Sequence, residues 1–164
     1  MIRRKRDLDI DEDIRFQENE WFAQRIGIGL LFAFVLSAAL GLTGMGGPLS
    51  RGEAGRPDGP VFVEFDRFVR RGAPATIRLH LRATPGPVQV WISAPYFQDV
   101  RVESVAPPPQ MAAVEQDRHI YTIQAGSGDV TMTLEVEHHS IGPIQAEVGV
   151  VGGPSVRFRQ LAYF

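Results

Sequence analysis

There is no cysteine among the 164 residues of the chain. Disulfide frameworks, thiolate metal sites, iron–sulfur clusters and cysteine nucleophiles are therefore excluded. The compartment stays open, since a chain without thiols is indifferent to redox poise. A surplus of positive charge is missing as well. Seventeen Lys and Arg against 19 Asp and Glu leave a formal net charge of −2, whereas a general nucleic-acid binder carries a large basic excess. No G-x-S-x-G, H-E-x-x-H or G-x-x-x-x-G-K-[ST] occurs, so no nucleophile elbow, zinc-protease helix or phosphate loop announces itself. What is present, 44% hydrophobic and 22% charged residues, is the composition of a folded chain.

Charge is also missing locally, and that absence is the strongest signal. Arg25 and Arg51 bracket 25 residues, Ile26 to Ser50, with no charge among them. The apolar part, Ile26 to Met45, is 20 residues long. At about 1.5 Å rise per residue it covers roughly 30 Å, the thickness of a bilayer's hydrocarbon core. Helices of soluble domains rarely run this long without a polar face. The leader before it holds seven acidic residues in 25, unlike the short basic n-region of a cleaved signal peptide. The sequence predicts an uncleaved signal anchor, with cleavage near Ala38-Ala39 as the alternative.

Arg3, Arg4, Lys5, Arg6, Arg15 and Arg25 precede the span, which favours a cytoplasmic N-terminus. The large domain on the other side translocates largely regardless of charge. The chain then divides into a disordered cytoplasmic tail (1–13), a juxtamembrane and transmembrane helix (14–45), a Gly/Pro linker (46–60) and an extracytoplasmic β domain (61–164). Trp21 and Arg25 fall where interface anchors sit. Gly29, Ala33, Ser37 and Gly41 recur every four residues. Such spacing builds one smooth helix face on which another transmembrane helix can pack; chance composition is the competing explanation.

From Val61 the texture changes to short alternating runs separated by turn residues, the mark of an antiparallel β domain. Eight strands are predicted, near 61–69, 75–83, 87–94, 99–106, 118–125, 129–138, 144–151 and 155–163. In the second, Ile77, Leu79 and Leu81 face one way and Arg78, His80 and Arg82 the other. The first offers Val61, Val63 and Phe65 inward with Glu64 and Asp66 outward, so pairing the two sets acids against bases. The fold class expected is mainly β, an immunoglobulin-like antiparallel β-sandwich after a single transmembrane helix, with Trp91 as core aromatic. A small β-barrel is the alternative.

The stretches Ala94-Pro95-Tyr96, Arg101 to Pro107 and Gly142 through Phe158 to Tyr163 resemble those of small bacterial single-pass membrane proteins with an immunoglobulin-like extracytoplasmic domain. The resemblance implies a location, the bacterial inner membrane with the C-terminal domain periplasmic, and a fold. It implies no activity.

Candidates for chemistry are few. His138 and His139, with Met111 and Met132 as soft ligands, suggest copper. Consecutive strand residues point to opposite faces, however, so the pair shares an ion only if the chain turns there. Arg67, Arg70 and Arg71 with Phe68 form a basic cluster suited to lipid headgroups or an acidic partner, or simply a solvated strand end. The run 107–117 reads as the longest loop of the domain. Its Pro107-Pro108-Pro109 is stiff, and Met111, Ala112, Ala113 and Val114 are apolar where a loop should be wet. Pro108, Met111 and Val114 are therefore the predicted partner-contact residues. The function expected is a non-catalytic, cofactor-free accessory or scaffolding subunit bound to an integral membrane protein complex or to its own copies. A membrane-tethered periplasmic copper or small-ligand binder is the alternative.

Overall fold

The computed structural model describes residues 14–40, 49–82, 85–115, 117–126 and 128–164, with side chains from Glu20 onward. The predicted tail 1–13, Gly41 and the start of the predicted linker lie outside the described residues. The chain falls into two compact units that divide between Ser37 and Ala38.

The first unit is helix α1, Ile14–Ala39. Its Leu, Ala, Gln and Arg residues are good helix formers and no proline interrupts it. One segment, Glu20–Ala39, is long and apolar enough to cross a membrane, a property that a signal sequence shares. Every large apolar side chain from Trp21 to Leu36 is exposed. The Arg25 guanidinium lies 3.5 Å from the Trp21 ring centroid, one turn away.

The second unit is a sandwich of two sheets. Strands β1 (Arg51–Gly55), β2 (Val61–Asp66), β4 (Pro74–Leu81), β9 (Val130–His138) and β6 (Val100–Ala106) form the first, in the order β1-β2-β4-β9-β6. Strands β3 (Phe68–Arg70), β11 (Ser155–Tyr163), β10 (Gly142–Val150), β5 (Gly86–Ser93), β8 (Arg118–Ala125) and β7 (Met111–Glu115) form the second, in the order β3-β11-β10-β5-β8-β7. Pairing is antiparallel except between β3 and β11, which run parallel. A short 3-10 helix, η1 (Ala94–Gln98), follows β5. The barrel alternative fails, because neither sheet closes on itself.

Alternation builds the core. Val61, Val63 and Phe65 from β2, Ile77, Leu79 and Leu81 from β4, and Met132, Leu134 and Val136 from β9 are buried against Val88, Val90, Ile92, Ile123, Ile144, Val148 and Phe158 of the other sheet. Full burial of such side chains is worth about 1.5–3 kcal/mol each. The expected pairing of acids with bases is present, with Glu64 opposite Arg78 on the outer face.

Three expectations change. The predicted linker 46–60 contains β1, which pairs with β2. Gly52, which reads as linker punctuation, is what lets the strands approach, because a Cβ there would collide with the Phe65 ring. The predicted strand 61–69 is two strands in different sheets. The chain crosses at Arg67, whose N–H donates to the Ser50 carbonyl and whose carbonyl accepts from the Leu161 N–H, both at 2.7 Å. Trp91 is among the buried hydrophobic residues, as expected, but it lies outside the cluster packed between the sheets. Val88, Val90 and Ile92 fill the inner face of β5, and Trp91 lies out of phase with them, between Gly149 and the Arg118 guanidinium.

Candidate interaction surface

Strand β7 occupies the segment expected to be a loop. Proline-rich residues 107–110 carry the chain from the edge of the first sheet to the edge of the second, through a cis Ala106–Pro107 bond. Met111–Glu115 then pairs with β8, from Met111 opposite Thr122 to Glu115 opposite Arg118. Nothing in the described chain pairs with its other side. All five residues are exposed, Met111 at 65% and Val114 at 71%. The predicted contact residues Met111 and Val114 thus share one edge strand, and exposed Pro108 lies in the connection leading to it.

An edge strand offers a row of unpaired backbone N–H and C=O groups, and natural sheets normally guard it. The other three edges are guarded. Strand β6 carries a register shift between Val102 and Ser104 and a charge cluster in which Arg101 donates to Glu103 at 2.6 Å and to Glu137 at 3.2 Å. Strand β3 is three residues long and ends in Arg70. Strand β1 holds two glycines with Arg51 and Glu53. Strand β7 has no shift in register, no proline within it and one charge, Glu115.

Beneath β7 the sheet is firm. His119, opposite Val114, stacks on Phe97 of η1 with centroids 3.9 Å apart, and partial burial lowers its pKa. Tyr121, opposite Ala112, packs against the core. The apolar strand is therefore carried on an anchored support.

The histidine pair does not assemble. His138 is fully buried while His139 is exposed. Met132 is buried in the core and Met111 exposed on β7. Among the described residues no three of His, Cys, Asp and Glu gather as a metal site. On the outer face of the first sheet, Thr131, His80 and Glu64 line a cleft of about 250 Å³ in the order of a hydroxyl–imidazole–carboxylate relay. The first link is 3.1 Å, but the second is 3.6 Å, beyond hydrogen-bond range. Exposed Arg67, Arg70 and Arg71 sit around the crossing into β3. On the helix, Gly29, Ala33 and Ser37 lie on one face. A Cβ at Gly29 would meet nothing within 4 Å, and the Ser37 hydroxyl donates to the Phe34 carbonyl at 2.7 Å.

One buried cluster escapes the sequence reading altogether. Gln160 faces the core from β11, and its amide oxygen accepts from the Tyr96 hydroxyl at 2.8 Å. The His138 Nε2–H also points to that oxygen, at 3.2 Å. The Gln160 amide nitrogen donates to the Asp66 carbonyl at 2.9 Å, which fixes the amide's orientation. With Nε2 as donor, Nδ1 is the acceptor, and it is buried without a hydrogen-bond partner. Burial pushes the Tyr96 phenol far above its ordinary range. Burial also lowers the His138 pKa, against the opposing pull of the Gln160 bond. The signal was available, because His138 and Gln160 continue the inward phases of β9 and β11.

No family model matches the chain, and no curated protein does. Among solved structures it is similar to a non-cellulosomal cohesin from the hyperthermophilic archaeon Archaeoglobus fulgidus, with 12% identity and a TM-score of 0.39. The match covers 59% of this chain and 86% of that one.

Proposed function

We propose that the chain is a non-catalytic, membrane-anchored accessory or scaffolding subunit. In this reading α1 spans the bacterial inner membrane with the N-terminus cytoplasmic, and the sandwich is held in the periplasm as a contact module. The observation that carries the reading is β7, an exposed, apolar, unguarded edge on a rigid sandwich. The wholly exposed apolar girth of α1 supports a helix solvated by lipid. Its face of Gly29, Ala33 and Ser37, a spacing that the sequence continues to Gly41, supports close packing on a helix of an integral membrane protein.

The test is extraction of the full-length chain from its native membranes in mild detergent, followed by identification of what co-migrates. A stoichiometric integral membrane protein is expected, and Ser37→Leu with Gly41→Leu should release it. Survival of the complex in that double variant would remove the helix face from the reading. Protease added outside spheroplasts should digest the sandwich and spare the leader; the reverse pattern would invert the topology.

A further inference from the structure

The edge of β7 has a definable occupant. We infer that it is β7 of a second copy of this chain, added antiparallel so that two six-stranded sheets join into one. This rests on the reading of β7 as a contact surface and names what fills it.

Register and charge both suit a second copy. A five-residue strand overlaps fully with its own antiparallel copy only when its middle residue lies on the two-fold axis, and here that residue is Ala113. The register then sets Ala113 against Ala113, Ala112 against Val114 and Met111 against Glu115. Small residues meet on the axis, and each Val114 beside it meets an Ala112. Glu115 is the sole charge of the strand. In this register each Glu115 faces Met111 of the other copy and has Arg118 opposite it on its own β8. The two Glu115 residues lie at opposite ends of the pair, about 13 Å apart at roughly 3.3 Å per residue, beyond the screening length of about 8 Å at physiological salt. No like charges are opposed, which is the condition that cross-strand pairing imposes.

The absence of cysteine makes the test clean, since any single introduced thiol is the only one. Ala113→Cys in the full-length chain, in native membranes, is treated with a mild oxidant or a short bis-maleimide. A covalent dimer is expected. Met111→Cys should not link to itself, but should link to Glu115→Cys when the two variants are co-expressed. Thr122→Cys, one strand in from the edge, should stay monomeric. Pairing Ala112→Lys with Val114→Lys in the Ala113→Cys background should abolish the dimer, while helix and strand content by circular dichroism stay unchanged. A monomeric Ala113→Cys chain, or dimers formed equally well by Met111→Cys alone, would overturn the inference. Cross-linking of Ala113→Cys to a different polypeptide would overturn the second copy as occupant and leave β7 standing as a contact surface. A silent β7 in a chain that also migrates alone in detergent would remove both readings.

Discussion

Strands β6 and β7 are consecutive, four residues apart, and both are edges, yet they are finished in opposite ways. Strand β6 is bent by a register shift and carries Arg101 between Glu103 and Glu137, whereas β7 is regular, apolar and bare. This sandwich is not simply left with open edges. Charge and irregularity close three of them, and the fourth is regular enough to take another strand.

The largest expected effect separates support from surface. Leu134, on β9 opposite Val105 of β6, is 1% exposed. Leu134→Ala should cost about 2–5 kcal/mol in urea unfolding, as buried Leu truncations do. Val114→Ala on β7 should stay within about 0.5 kcal/mol, and equal losses would mean that β7 is structural rather than presented. Next comes Gly149→Ala on β10, three strands in from the β7 edge. A Cβ there would sit 2.9 Å from Trp91 Nε1 and from the Pro154 carbonyl, so a loss of about 1–3 kcal/mol is expected, with a shift in indole emission as the ring is displaced.

A smaller effect lies in pH. His138 has a native pKa below its ordinary 6.5, chiefly from burial, with His139 lowering it further and Gln160, Asp66 and Asp99 opposing. As pH falls, the unfolded chain takes up this proton first. The contribution is full above about pH 6.5 and is lost progressively as pH drops toward the native value. Urea midpoints measured across that window should fall in the native chain, and the part due to His138 should vanish in His138→Gln. An unchanged slope in the variant would assign the acid sensitivity elsewhere. The smallest expected change in stability is at Arg101→Ser, which removes a guard from β6 in an exposed cluster. Its effect should appear as self-association in sedimentation, and a chain that stays as dispersed as the parent would show that the register shift alone protects that edge.

Much of the sandwich was legible because alternation is a strong signal. The phases of β2, β4 and β9 assign Val63, Leu79 and Leu134 to the core directly. The missed strands share a cause. Strand β1 is hidden by Gly52 and Gly55, which favour turns when read alone; Gly52 acquires its purpose from the Phe65 ring, and Gly55 from its positive φ beside the Val61 carbonyl. Strand β7 is hidden by three prolines before it and by two alanines inside it, residues with little strand preference. Its contact character was still readable, since Met111 and Val114 are apolar in a segment too polar on either side to be core. Trp91 is buried, as its size suggests, but its phase beside Val90 and Ile92 sets it apart from the cluster between the sheets. The Tyr96–Gln160–His138 cluster is readable in phase, but a polar residue at an inward position names no partner until the two sheets are packed.

Strand β11 lies between β3 and β10, and it supplies both Phe158, whose ring sits 4.6 Å from that of Phe65, and Gln160, which reaches Asp66 across 94 positions of sequence. Until the ribosome has made residues 155–163, β3 and β10 lack a shared neighbour and the Tyr96 and His138 side chains lack their acceptor. Closure of the domain therefore waits for β11, and contacts of such long sequence separation form slowly. Strands β1 to β10 alone would be an unfinished sandwich, completed only when β11 is laid between β3 and β10.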